Sequence, residues 1–199
     1  MPFVLAQAVV GAERHGSAAV VPTNASFHPT NVWYIRSTYL SWSGSQPWTG
    51  MNTATEEEHA GVLFTNVTIP AGSTITAATI TTNSLSGDGG GARNLDIYGY
   101  KAGLTPAHPA TLAAAQTLDQ ATKTTATAQW AGPLTYPASG LVTPDISAVI
   151  QEVIGQAGWA SGDSILVFIN GNAANGGGAN YDTELDTTVA NWTLDVTYH

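Results

Sequence analysis

Residues 143–170 are the one stretch of this chain in which the hydrophobic period changes clearly from that of a strand to that of a helix. Five apolar residues recur there at helical spacing: Ile146, Val149, Ile150, Val153 and Ile154. This spacing predicts a short amphipathic helix over about residues 144–154. Thr143 is expected to cap this helix, Pro144 suits its first position, and Gly155 should end it. The unbroken apolar run at 165–169 then predicts a strand that is buried on both faces.

The rest of the chain consists of short alternating runs separated by glycine, proline and asparagine. Residues 63–69, 94–100 and 192–198 alternate most clearly between apolar and polar side chains, as half-buried strands do. Only 10% of the residues are charged, against about 25% in typical domains. Together with one helix and about eight to ten strands, this pattern predicts an all-β protein, a β-sandwich of the jelly-roll type.

The strands are not spread evenly over the chain. Residues 55–199 are expected to form the sandwich, whereas residues 1–54 are expected to be an N-terminal arm followed by aromatic-rich strands. This first segment either belongs to the same domain or makes an assembly contact. Residues 1–22 could be a hairpin or an arm docked on another subunit. The acidic run at 56–58 is predicted to be a solvated loop or strand edge.

The charge of the chain excludes several classes of partner. The formal net charge is −9, with five basic residues, so no basic patch is available for nucleic acid or for anionic lipid. No apolar run approaches the roughly 18 residues of a membrane helix, and the N-terminus lacks the basic region of a signal peptide. The chain has no cysteine, which excludes disulfides and thiolate metal sites.

No catalytic pattern is visible, and the protein is predicted not to be an enzyme. The five histidines lack metal-ligand spacing and are expected at the surface, and no nucleophile elbow is present. Carboxylate pairs that could cleave a glycosidic bond exist only within residues 56–58 and 182–186.

Two kinds of binding site are suggested by residue type. Asp182, Glu184 and Asp186 alternate in a segment that follows a glycine-rich run, where clustered oxygens could bind calcium. The alternative is a solvated acidic loop.

The second kind is a glycan site, because exposed aromatic faces stack on sugar rings while acids bind the hydroxyls. Trp42 and Trp48, in a predicted exposed loop over residues 41–52, are candidates for this role, as are Tyr98 and Tyr100 beside Asp96. The alternative is a sheet face packed against a loop or a subunit. Three other tryptophans are expected in the core: Trp130, Trp159 and Trp192.

Several phrases occur in an order that resembles a known family. They are NVTIPAGSTITAATITT at 66–82, NLDIYGY at 94–100, TATAQW at 125–130, the helix and strand at 143–171, and ANYDTELDTTVANWTLDVTY at 179–198. Together they resemble the DNRLRE-type jelly-roll module, which occurs as a carbohydrate-binding module in secreted polysaccharide-degrading proteins and in tailed-phage virion proteins. The resemblance covers residues 55–199. The basic residues that give the module its name have no clear counterparts here.

The resemblance implies a non-enzymatic structural protein of a tailed-phage virion, located on the capsid as a decoration or on the tail. It would be a homo-oligomer in contact with other virion proteins. The alternative that the resemblance implies is a carbohydrate-binding module, either free or attaching the virion to a surface polysaccharide.

Overall fold

The computed structural model describes residues 21–87, 93–132, 136–172 and 181–199. These residues form twelve strands and two α-helices. The strands are β1 (Thr23–Phe27), β2 (Asn31–Arg36), β3 (Trp42–Ser43), β4 (Trp48–Met51), β5 (Glu57–Phe64), β6 (Ile75–Gly87), β7 (Arg93–Gly99), β8 (Ala128–Gly132), β9 (Ala138–Val142), β10 (Ile165–Gly171), β11 (Tyr181–Leu185) and β12 (Thr193–Tyr198). The helices are α1 (Leu112–Asp119) and α2 (Ser147–Ile154), and a 3₁₀ turn lies at Val189–Asn191.

All strand pairs are antiparallel and follow one continuous order, β1-β12-β6-β11-β4-β5-β10-β7-β8. Strand β9 adds to β6, β2 to β5, and β3 to β2. The sheet folds over so that β1, β12, β6 and β9 form a first layer, and β2, β5, β10, β7 and β8 form a second. Strands β11 and β4 join the two layers. The prediction of an all-β sandwich is confirmed.

One hydrophobic core fills the space between the layers. The first layer contributes side chains such as Ile80 and Val196, and the second contributes Val62 and Val167. Alternate residues of each strand point inward, so the opposite face of the second layer carries its own small cluster. Trp130, Trp159 and Trp192 are buried in the main core, as predicted.

Helix α2 is the amphipathic helix that the periodicity predicted, and it buries its apolar stripe in the main core. It begins at Ser147, later than predicted, and Gly155 is its C-terminal cap. Thr143 does not cap it, because its hydroxyl accepts a 2.9 Å hydrogen bond from the backbone N–H of Ile80 on β6. Asp145 serves the helix start instead, accepting from the backbone N–H of Ser147 at 2.9 Å.

Helix α1 (Leu112–Asp119) is a second helix, whereas the sequence analysis predicted only one. Thr111 caps it by accepting a 3.2 Å hydrogen bond from the N–H of Ala114. The helix lies on the outer face of the second layer, next to β2 and β3. Both helices have eight residues, and no helix in the described ranges is long and apolar enough to cross a lipid bilayer.

The described part of residues 1–54 belongs to the same sheet as the rest of the chain. Strand β1 pairs with β12, and β2 and β4 both pair with β5. One local prediction is wrong here, because the segment that carries Trp42 and Trp48 forms β3 and β4 and is not an exposed loop. The acidic run was predicted to be a solvated loop or strand edge. Its last two residues begin β5, and Glu58 is buried there. Residues 1–20, which hold most of the predicted arm, lie outside the described residues.

Candidate functional site

A cleft of about 230 Å³ opens where β4 joins the two layers. Its lining residues come from four strands and one loop: Tyr34, Arg36, Trp48, Asn52, Glu58 and Asp182. Gly50 of β4 stands opposite Glu58 of β5 on one side and opposite Asp182 of β11 on the other. Directly opposite residues point to the same face of a sheet. The two carboxyl-bearing residues therefore flank a position that has no side chain.

The backbone around Gly50 requires glycine. Its φ is +113°, and a Cβ there would lie 2.3 Å from the carbonyl oxygen of Tyr181. Strand β10 passes close beneath, since a Cβ on Gly171 would lie 1.8 Å from the carbonyl oxygen of Gly50. The hydroxyl of Thr49 also donates a 2.7 Å hydrogen bond to the carbonyl oxygen of Ile169 on β10. The floor between the carboxyl groups is thus bare backbone held in place by β10.

Glu58 is the buried acid of the cleft, with 1% of its surface exposed. The Nε of Arg36 donates a 3.0 Å hydrogen bond to its Oε1, while its buried Oε2 has no hydrogen-bond partner among the described residues. Burial and, to a smaller extent, the nearby charge of Asp182 raise the pKa of Glu58 to about 7, and Arg36 only partly opposes them. The sequence analysis predicted that residues 56–58 are solvated, and this is wrong for Glu58.

Arg36 serves more than one carboxyl group. Its Nη1 lies 3.8 Å from Oε2 of Glu56, and its Nη2 donates a 3.4 Å hydrogen bond to Oδ1 of Asn52. Hydrogen bonds from Thr38 and Asn52 lower the pKa of Glu56 and keep it ionised. One guanidinium is thus shared between two glutamates.

Trp48 and Tyr34 supply the aromatic surface of the cleft. Trp48 is half-buried, next to Arg36 and Asn52 in the lining. The hydroxyl of Tyr34 is hydrogen-bonded to that of Ser41 at 2.9 Å. The cleft therefore places an indole and a phenol beside an amide, a guanidinium and two carboxyl groups.

Arg93 holds the backbone of the Asp182 side of the cleft. This buried residue on β7 donates from Nε at 3.2 Å and from Nη2 at 2.8 Å to the carbonyl oxygen of Asp182. Its guanidinium also lies 5.3 Å from the ring centre of Tyr136. A paired donation of this kind restricts β11 in both position and direction.

Four of the five predicted glycan-binding residues lie on the opposite, outer face of the second layer. Trp42 and Tyr100 pack against a cluster formed by Trp33, Leu63, Leu166 and Phe168. Tyr98 donates a 3.1 Å hydrogen bond to Oδ2 of Asp96, and burial together with Asp96 raises the pKa of Tyr98 to about 12. The sequence analysis named a packed sheet face as the alternative to a glycan site, and the side chains of this outer face are packed or hydrogen-bonded within the protein. Of the five, Trp48 is the one that lines the cleft.

A charged cluster on the outer face ties α1 to β5. The Nδ1 of buried His59 lies 2.9 Å from Oδ1 of Asp119, and its Nε2 lies 3.3 Å from Oε2 of Glu57. Asp119, the last residue of α1, also accepts a 3.1 Å hydrogen bond from Tyr39 and is ion-paired with Lys123. Burial alone would lower the pKa of His59, but the two carboxylates outweigh it and raise that pKa. The prediction of a surface histidine is wrong for His59.

The three residues predicted to bind calcium do not converge. Asp182 and Glu184 lie in β11, not in a loop. Glu184 accepts hydrogen bonds from Gln46 and Ser86, whereas Asp186 accepts from other donors, Asn83 and Asn191 among them. In the ranges that the structure describes, no three His, Cys, Asp or Glu residues are grouped in a way that could hold a metal ion. The geometry therefore does not support that site.

Comparison with known proteins leaves the family open. No protein-family model matches the chain, and no curated protein matches it significantly. The likeness to the DNRLRE-type module therefore stays a prediction.

The sequence analysis missed Tyr34, Arg36 and Asn52, and it misjudged Glu58. One signal was present, because residues 58, 60, 62 and 64 share the two-residue period of the apolar run. That period alone would have predicted an inward-facing Glu58.

Proposed function

We propose that this protein binds a glycan in the cleft between β2, β4, β5 and β11 and does not chemically alter it. The observation that supports the proposal is the presence of Trp48 in an open cleft with Arg36, Asn52 and two acidic side chains. Sugar rings present an apolar C–H face, which stacks on an aromatic ring, and an edge of hydroxyls, which planar polar groups bind.

The polar groups that a sugar hydroxyl would meet in the cleft are those of Arg36 and Asn52. The carboxyl group of Glu58 is buried and accepts a 3.0 Å hydrogen bond from Arg36, whereas the side chain of Arg36 is 30% exposed. A guanidinium donates through several N–H groups, and an amide both donates and accepts. Both can therefore bind the hydroxyl groups of a sugar.

The site is built on paired strands, so little ordering is required when a ligand binds. Gly50 is fixed by its neighbours on β10 and β11, and Arg93 fixes the backbone of Asp182. A preformed site loses less conformational entropy on binding than a loop does.

Retention on immobilised glycans tests this proposal. The wild-type protein is expected to bind at least one polysaccharide on a glycan array, and Trp48→Ala is expected to lose that binding without unfolding. The matched control is Tyr98→Ala, which removes an aromatic ring from the opposite face and should bind normally. Failure of the wild type on every glycan, or full binding by Trp48→Ala, would refute the proposal. Release of shortened sugars during incubation would refute the non-enzymatic part.

We propose the setting of this function from the resemblance to the DNRLRE-type module. The protein would be a structural component of a tailed-phage virion, on the capsid or the tail, where a glycan-binding cleft could contact a host surface. Mass spectrometry of purified particles tests this setting. A fixed copy number per particle is expected, and absence from washed particles would contradict it.

A further inference from the structure

Residues 37–45 and 107–118 form a surface that has no Asp, Glu, Lys or Arg, although the chain as a whole has a net charge of −9. The two segments are neighbours in the fold, because α1 packs beside β2 and β3. The Nε2 of His108 also lies 2.9 Å from the carbonyl oxygen of Gly44. Most of these residues are at least partly exposed. We call this region the uncharged surface.

A groove of about 340 Å³ opens on the uncharged surface along α1. Its lining is mostly apolar and comes from the helix and from the segment before it: Ala107, His108, Pro109, Ala114, Thr117 and Leu118. Leu118 packs against the outer-face cluster that contains Phe168. The ring of His108 meets that of Trp33 edge-on, with 5.6 Å between the ring centres. The walls of the groove are therefore fixed by packing against the sheet.

Leu40 is an exposed apolar side chain on the same surface. It lies in the turn between β2 and β3, with 84% of its surface exposed. The residue before it, Tyr39, has a φ of +56°, a backbone conformation that is strained for a bulky side chain. The hydroxyl of Tyr39 donates a 3.1 Å hydrogen bond to Asp119, the last residue of α1. A strained turn thus holds Leu40 in solvent beside the helix that lines the groove.

We propose that two copies of this chain pair through the uncharged surface, with Leu40 of each copy in the groove along α1 of the other. A two-fold axis that passes midway between Leu40 and the groove brings each of them to its counterpart, so both contacts form at once. One surface thus provides both the projecting side chain and the apolar groove that receives it.

Charge and size favour a second copy as the occupant of the groove. Two chains with a net charge of −9 repel each other, so they can pair closely only where charged side chains are few. The cores of protein interfaces are depleted in charged residues and enriched in aromatic ones, and the uncharged surface includes Tyr39 and Trp42. Its two segments together have about as many residues as each side of a stable interface contributes, roughly 20–30.

Sedimentation equilibrium of the full chain tests this pairing, at concentrations from about 5 μM to about 500 μM that cover micromolar dissociation constants. The mass is expected to rise from 20.5 kDa towards twice that value and to stop there, because a reciprocal interface closes on itself. Leu40→Ser is expected to weaken the dimer at least about 100-fold, since each dimer loses two buried leucine side chains. The matched control is Val142→Ser, which removes a 51% exposed side chain from β9 in the first layer and should leave the dimer intact.

A second variant tests the reciprocal arrangement. Ala114→Phe places a ring in the groove and should also prevent the variant from pairing with itself. A mixture of Leu40→Ser and Ala114→Phe should form a mixed dimer that is tighter than the dimer of either variant alone, because the Leu40 of the second variant enters the open groove of the first. Melting curves establish that the variants are folded. If Ala114→Phe unfolds, Thr117→Phe fills the groove from an exposed position.

Three kinds of result would overturn the proposal. A wild-type chain that stays monomeric at every concentration would leave the groove to a partner of another kind. A dimer that withstands both Leu40→Ser and the groove-filling variant would use a different surface. A mass that grows beyond two chains, or a mixture that pairs no better than its components, would exclude the reciprocal contact.

Discussion

Glu58 combines burial with an incomplete ion pair, and this has a consequence for stability. Its pKa of about 7 in the folded protein lies above the ordinary value of 4.5. A carboxyl group with a raised folded pKa stabilises the fold fully below its unfolded pKa, and that contribution is lost as the pH rises through the folded pKa. As the pH rises from 4.5 to about 7, the protein should therefore lose the stability that Glu58 contributes at acidic pH.

Glu58→Gln tests this dependence. Glutamine has a similar shape but no charge, so the loss of stability between about pH 5 and about pH 8 should be smaller in the variant than in the wild type. Urea unfolding at both pH values measures the difference. An identical loss in both proteins would show that Glu58 does not titrate in this range.

His59 should affect the same pH range in the same direction. Burial would lower the folded pKa of His59, but Asp119 and Glu57 outweigh this effect and raise that pKa above 6.5. The stability it contributes is therefore complete below pH 6.5 and is lost as the pH rises through the raised value. We expect His59→Gln to cost about 2 kcal/mol at acidic pH and much less well above the raised pKa. A cost that is independent of pH would contradict this account.

Helix α2 and strand β7 approach each other closely at Gly99. A Cβ on Gly99 would lie 2.4 Å from Cγ2 of Val153 and 3.1 Å from Cγ2 of Thr124. The helix can therefore rest on β7 only if residue 99 has no side chain. Through this contact, α2 packs on strand β7 of the second layer.

Gly99→Ala should destabilise the protein by about 1–3 kcal/mol through overpacking. Val153→Ala removes the methyl group that the new Cβ would meet, so the double variant should be more stable than the sum of the two single effects predicts. Thermal unfolding of the four proteins gives this coupling. Simple additivity would mean that the close approach does not cause the strain.

Elements with a long, regular period could be predicted from the sequence, and short ones could not. Helix α2 and strand β10 each show a clear hydrophobic pattern over five or more residues. Strand β4 has four residues, one of them a glycine with positive φ, so its sequence resembles a turn. The cleft was missed for a related reason, because β4 aligns Glu58 with Asp182 across 124 positions of the chain and no local pattern encodes that register.

At the scale of the whole molecule, strand β4 makes the cleft part of the sandwich. The same strand pairs with β5 and β11 and so closes the sheet between the two layers. The sandwich then presents two different surfaces. The cleft is acidic and lined by Trp48, whereas the outer face carries the remaining candidate aromatics, which are packed or hydrogen-bonded there.

The net charge of −9 adds a long-range effect to this arrangement. A negative protein repels acidic polysaccharides, most strongly at low salt. The charge of the whole molecule therefore favours a neutral or cationic glycan over an acidic one.

The central claim is that glycan binding occurs at Trp48, and fluorine NMR tests it most directly. The six tryptophans can be labelled with 5-fluorotryptophan and assigned through single Trp→Phe variants. Titration with a glycan that the protein retains is expected to shift the Trp48 resonance, while those of the core residues Trp33 and Trp192 stay in place. A shift of the Trp42 resonance with Trp48 unmoved would place binding on the outer face and contradict the account.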